Sequence, residues 1–191
     1  MRVTYPPPAH PPAYPPPHYW APPPPPVAPD GRLLADFGDR LVARIIDVAI
    51  LTGVAMVVML PVVGLVIWQT VQNPPEPGAS LLDVVGPWLL MYAGLTLLAF
   101  AVSYLYEVEY CFRQGGRTVG KRVMKLRIVP LRPGAVYHRG FAVKRWLIMD
   151  VVSAFLPGFT YVDGLYQLGD KPYRQCLHDK YATTVVVKDP A

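Results

Sequence analysis

The sequence predicts an all-α membrane protein: two to three transmembrane helices, a small cytoplasmic β-hairpin-like element and a disordered, proline-rich N-terminal tail. Three observations carry this. No Lys or Arg occurs between Ile45 and Phe112, a length of surface hard to keep in water and easy to place in lipid. Two apolar stretches, 41–68 and 84–106, each reach the roughly 20 residues needed to cross the hydrocarbon core. Residues 1–29 hold fourteen of the 24 prolines, which excludes helix and sheet there, because proline lacks a donor and disfavours helix for its predecessor.

The 191 residues suit one membrane domain, 36–188, behind a tail of residues 1–30. Only 16% of residues are charged, against about a quarter in soluble domains. The net charge of +5 is concentrated beside the apolar spans, so positive-inside topology explains it and nucleic acid is not an expected partner. Cys111 and Cys176 show no CxxC spacing and no flanking histidine cluster. They are expected to be free thiols in a reducing compartment, with no metal and no cofactor. The first thirty residues lack the apolar core of a cleavable signal peptide, so the first apolar segment is expected to act as its own insertion signal.

In the tail, Pro11-Pro12-Ala13-Tyr14 and Pro16-Pro17-His18-Tyr19 have the PPxY form that aromatic grooves can bind. A low-complexity spacer explains them as well. The first helix, about 41–68, tolerates Pro61 and Gly64 in lipid, and Trp68 is placed like an interfacial anchor. The loop 69–83 carries Glu76 and Asp83 and no cation. The second helix, about 84–106, presents Ala93, Thr96, Ala99 and Ser103 at helical spacing, a pattern that permits close helix approach.

From Arg113 to Arg145 there are ten cations and no acid. That basic loop, 113–145, is placed in the cytoplasm with the N-terminus, and the acidic loop outside. VMKLRIVPL at 123–131 and TTVVVK at 183–188 are strand-like and are expected to pair. The third apolar stretch, about 146–168, contains Asp150 and Asp163 and is broken at Pro157-Gly158. It is either a third crossing or a broken, re-entrant hairpin that keeps the cap, 169–188, cytoplasmic.

Several residues could carry chemistry. Arg40, Arg44 and Asp47 share one helix face, with Arg44 placed to pair with Asp47. An acid two turns into a membrane helix is a functional candidate, and a structural ion pair is the alternative. Arg44 can simply snorkel to the headgroups. Glu107 and Glu109 close the second segment and could meet the arginines of the basic loop or line a polar cavity, but a solvated helix end is the favoured expectation. Gly115 to Lys121 has P-loop glycine spacing, but Arg122 replaces the magnesium-binding hydroxyl, so nucleotide hydrolysis is excluded. His178 beside Asp179 has no nucleophile context. No enzymatic activity is expected, and a hydrogen-bonded cap accounts for this pair.

Three blocks together resemble the RDD family of bacterial membrane proteins. Arg40-Leu41-Val42-Ala43-Arg44-Ile45-Ile46-Asp47 is similar to the opening pattern R-L-x-A-x-x-I-D. Gly116-Arg117-Thr118-Val119-Gly120-Lys121 through Leu126-Arg127-Ile128 is similar to the central block. Asp170-Lys171 through Arg174, Leu177-His178-Asp179-Lys180, Ala182, Thr184 and Val186 resemble the closing block. Thr183 and Lys125 stand where glycine is common. The resemblance implies Arg40 and Asp47 as signature residues, with Asp179 as the third and Asp163 as its rival. Arg44, Lys121 and His178 are supporting residues.

The family resemblance implies a suggested role in transport. Two readings follow. One is movement of an ion or small solute through Asp47 and Asp163, gated by Arg40 and built as a homo-oligomer. The other is a non-transport membrane adaptor or scaffold, whose tail captures a protein partner while the basic loop binds anionic lipid headgroups of the bilayer.

Overall fold

The computed structural model describes Met1 and residues 24–189. The proline-rich run up to residue 23, with both PPxY motifs, lies outside the described residues.

Among the described residues, two helices are long and apolar enough to cross a membrane. Helix α1 (Phe37–Gln72) opens on Asp36, whose side chain accepts from Asp39 N at 2.8 Å. Its 36 residues span about 54 Å at 1.5 Å per residue, more than a hydrocarbon core of about 30 Å. It begins four residues earlier than the apolar run suggests because its first turns are polar and packed in the cap. Helix α2 (Leu81–Arg113) opens with a reciprocal capping box between Ser80 and Asp83. After Tyr104 it widens into π-helical turns over Leu105–Tyr110. Such an insertion turns the side chains that follow about the helix axis, and here it carries Tyr106 and Glu107 to the face that meets α1.

The basic segment is not a loop. It contains α3 (Val119–Val123) and β1 (Leu126–Pro130), and its last residues already belong to the next helix. β1 pairs antiparallel with β2 (Thr184–Lys188), from Leu126↔Lys188 to Pro130↔Thr184. The expected pairing is present, but not as a hairpin: residues 131–183 separate the strands. The free edge of β2 is covered by residues 33–35, through Ala35 N→Val186 O at 3.0 Å and Lys188 N→Leu33 O at 2.8 Å. β2 is thus the middle of three chain segments, which explains its nearly uninterrupted apolar run.

Alternation along β2 divides the core in two. Val186 packs with Ala35, Ala43, Cys111, Leu126 and Ile128 against the helices. Val185 and Val187 pack with Ala28, Leu34 and Val129 on the other side. Residues 27–34 form a turn over that second face, with Ala28 buried. The last residues of the compositional tail, 1–30, are therefore part of the folded body.

The third apolar stretch starts at 139 rather than 146. Helix α4 (139–155) is α-helical over Arg139–Trp146, π-helical over Leu147–Val152 and α-helical again over Ser153–Phe155. Leu156-Pro157-Gly158 interrupts it, with Gly158 at φ 85°, and α5 (Phe159–Tyr166) follows. Both arms return to the same cap, Arg145 on one and Asp163 on the other reaching α6 (Leu177–Tyr181). The third stretch is thus two short helices broken at Leu156-Pro157-Gly158.

Candidate functional site

The first turns of α1 present Arg40, Ala43, Arg44 and Asp47 on one face, as offsets of three, four and seven dictate. What that face meets could not be read from spacing. Asp47 is 1% exposed and accepts three hydrogen bonds: Tyr106 OH to Oδ1 at 2.6 Å, Thr118 Oγ1 to Oδ2 at 2.6 Å and Gly120 N to Oδ1 at 2.8 Å. Lys121 Nζ stands 3.9 Å from Oδ2. The carboxylate thereby holds the start of α3 on α1. Gly120 makes that approach possible, since a Cβ there would overlap the Ala43 carbonyl and sit 2.9 Å from Asp47 Oδ1.

Arg44 does not pair with Asp47, contrary to the spacing argument. Its guanidinium bonds Glu107, which the π-helical turns of α2 bring alongside. Nor is the helix end merely solvated: Glu109 holds both Arg113, at 2.8 Å, and Arg139. The i,i+3 rule identifies residues that can meet along a helix. A cross-helix partner of better geometry wins when one is available.

The second cluster centres on Asp179, which is fully buried. Its Oδ2 accepts from Arg40 Nη1 at 3.1 Å and from Cys176 N at 3.3 Å, and its Oδ1 bonds Arg145. Arg40 also reaches the Val186 carbonyl at 3.3 Å. Arg145 further donates to Thr184 Oγ1 at 3.0 Å and faces His178 Nε2 at 3.0 Å. A guanidinium can only donate, so Nε2 accepts and Nδ1–H points at Asp163 Oδ2, 2.5 Å away. Asp163 Oδ1 accepts from His178 N at 2.9 Å. Burial, and then the nearby Arg145 charge, pull the His178 pKa down to about 4, so the ring is neutral at physiological pH. The structure brings Asp179, not Asp163, to Arg40.

Cys176, His178 and Asp179 converge closely enough to suggest a cation site. The donor set argues against one. Both histidine nitrogens and both Asp179 oxygens are already engaged, and Arg40 and Arg145 occupy the space where a cation would bring its charge. Adding a cation there would leave the arginines without partners.

These interactions join segments far apart in the chain: 40 to 179, 47 to 118 and 120, and 145 to 184. Arg40, Asp47, Thr118, Gly120, Lys121, His178, Asp179 and Thr184 of this arrangement fall in the three sequence blocks, and a family model described as RDD family matches residues 34–183. The chain belongs to the RDD family. Comparison with curated proteins finds no match, and comparison with solved structures finds none.

Several residues of this RDD site are not obvious from sequence. Thr118 and Gly120 lie in the central block, so the block itself was their signal. Glu107 had one, as an acid closing the second apolar run; Tyr106 and Arg145 had none, since their partners arrive from other segments. Asp150 was visible only as an acid interrupting an apolar run. It lies beside a cavity of about 520 Å³ between α1, α2 and α4. Ser103 Oγ donates to Asp150 Oδ1 at 3.1 Å and accepts from Trp146 Nε1 at 2.6 Å. Asp150 Oδ2 is buried with no partner.

Proposed function

We propose that this RDD protein moves a small cation or proton across the membrane, and that Asp150, rather than Asp47 or Asp163, is the carboxylate on the path. One observation carries the reading: Asp150 keeps a buried oxygen without a partner at the edge of a cavity that is otherwise mostly apolar. A buried carboxylate oxygen that no donor faces is unfavourable unless a proton or a cation meets it, and exchange of the two is the elementary step of coupled transport. Thr52, Thr96 and Ser103 on the same walls supply oxygens for a partly dehydrated ion. Asp47 and Asp163 have their lone pairs directed at fixed donors, which suits them to assembly.

The lysine and arginine distribution supports a multi-pass arrangement in the cell membrane, with the N-terminus, basic segment and cap in the cytoplasm. Two spanning helices make a thin wall, so a homo-oligomer is part of the proposal. No catalytic step is assigned to any residue. The adaptor reading is less well supported at the basic segment, because six of its ten cations face carboxylates of the same chain: Arg113, Arg117, Lys121, Arg127, Arg139 and Arg145.

The test is cation-driven proton exchange in everted vesicles. Wild-type protein is expected to give a signal with an added monovalent cation, and Asp150→Asn to lose it while inserting at the same level. A folded wild type without a signal, or an Asp150→Asn variant that retains one, would overturn the proposal.

A further inference from the structure

A separate cavity of about 350 Å³ lies under the cap, between α1, α4, α5 and α6. Two polar atoms on its wall are buried without partners: the Nε donor of Arg40 and the Oε1 acceptor of Gln167. Their side chains are deeply enclosed, Arg40 at 8% and Gln167 at 6% exposure. Lys121 Nζ stands on the same wall with only distant contacts, 3.4 Å to Thr118 Oγ1 and 3.9 Å to Asp47 Oδ2. Most of the remaining lining is apolar, and Leu41, Tyr161 and Leu165 at the rim are exposed.

Buried polar atoms without partners are costly, so a donor and an acceptor left open on one wall point to a polar ligand. The wall carries Arg40, Arg44, Lys121 and Arg145 against Asp163 and Asp179, a balance of four minus two, or +2, with His178 neutral. Glu107 and Asp47 stand behind Arg44 and Lys121. Recognition therefore rests on directed hydrogen bonds as much as on net field.

We propose that this cavity is a headgroup site for a membrane phospholipid whose phosphodiester bears a further hydrogen-bond donor. The phosphate oxygens accept from Arg40 Nε and Lys121 Nζ. A headgroup hydroxyl or ammonium donates to Gln167 Oε1. The acyl chains leave over Leu41, Tyr161 and Leu165 into the bilayer. This goes beyond ion movement and uses none of the residues around Asp150. It also locates headgroup recognition inside the fold rather than on the surface of the basic segment.

The experiment uses the full chain in mild detergent, titrated with short-chain phosphatidylglycerol, phosphatidylethanolamine and phosphatidylcholine, with bound lipid read by native mass spectrometry. The first two carry the donor and the third does not. They are expected to bind about five- to tenfold more tightly than phosphatidylcholine, the scale of one buried hydrogen bond. Gln167→Leu keeps the side-chain volume and is expected to bring all three to the phosphatidylcholine level. Tyr161→Asp, at the exposed rim, is expected to weaken all three alike. Glycerol 3-phosphate at the same concentration is expected not to displace them. Equal binding of the three lipids by wild type, an unchanged preference in folded Gln167→Leu, unchanged binding in Tyr161→Asp, or displacement by glycerol 3-phosphate would each overturn the proposal.

Discussion

Gly120→Ala tests the junction between the central block and α1. The added Cβ would run into the Ala43 carbonyl, stand 3.0 Å from the Ala43 carbonyl carbon and 2.9 Å from Asp47 Oδ1. The obstacle is helix backbone, so it cannot rotate away. Relief requires α3 to lift from α1, which breaks the Gly120 N→Asp47 bond of 2.8 Å. Overpacking costs roughly 1–3 kcal/mol, and a hydrogen bond to a charged group contributes roughly 1.5–3 kcal/mol. Together these give roughly 2.5–6 kcal/mol, with the lower half favoured if the two losses overlap. Denaturant unfolding in detergent micelles reads the total, and hydrogen exchange at Ile128 and Val186 reads the loosening of the sheet that α3 leads into. Gly53→Ala is the control, because nothing lies within 4 Å of its added Cβ and alanine is the better helix former by about 1 kcal/mol. Gly120→Ala indistinguishable from Gly53→Ala would refute the docking geometry.

Two further outcomes follow from local physics. Lys125 and Thr183 adopt left-handed backbone, φ 53° and 52°, at the two positions where the resemblance expects glycine. A left-handed non-glycine residue costs roughly 1–2 kcal/mol, so Thr183→Gly and Lys125→Gly should each stabilise the protein by about 1 kcal/mol in the same unfolding assay, the β-branched threonine gaining more. Protonation of His178 is the pH-sensitive step in the cap. Its folded pKa of about 4 lies below the unfolded value of 6.5, so its contribution is complete above pH 6.5 and is lost as pH falls towards 4. The shift corresponds to a loss on the order of 3 kcal/mol across that window. A His178→Gln variant should show a flatter dependence there, and an unchanged slope would mean that other groups control it.

What could be read in the sequence was what depends on pattern. Long apolar runs with few charges marked α1 and α2, β-prone residues marked both strands, and Pro157-Gly158 marked the break between α4 and α5. What could not be read depends on how elements turn towards one another. The π-helical turns at Leu105–Tyr110 and Leu147–Val152 each shift the phase of a helix, and periodicity computed on a regular helix does not register this. That is why helical spacing alone pairs Arg44 with Asp47 instead of Glu107. The strand pair was legible as propensity, but its non-local closure and third segment at residues 33–35 were not. Those residues read as the end of a tail until β2 supplies an edge for them.

The positions of the signature residues bear directly on how loss of function in this family should be interpreted. Arg40 meets Asp179 across 139 residues of chain, and Asp47 meets Thr118 and Gly120 across more than 70. Each of these contacts closes a long loop, and each satisfies a buried charge that would otherwise be strongly unfavourable. A variant such as Asp47→Asn leaves donors facing the wrong partner, so it would remove activity through the fold whether or not an ion ever touches the residue. Asp150 differs in that no donor faces its Oδ2, so Asp150→Asn removes a buried charge, breaks no bond at that atom and keeps Oδ1 for Ser103. Asp150→Asn is therefore expected to preserve or raise stability while abolishing exchange. Loss of function without loss of stability is the combination that separates a carboxylate on the ion path from one that holds the protein together.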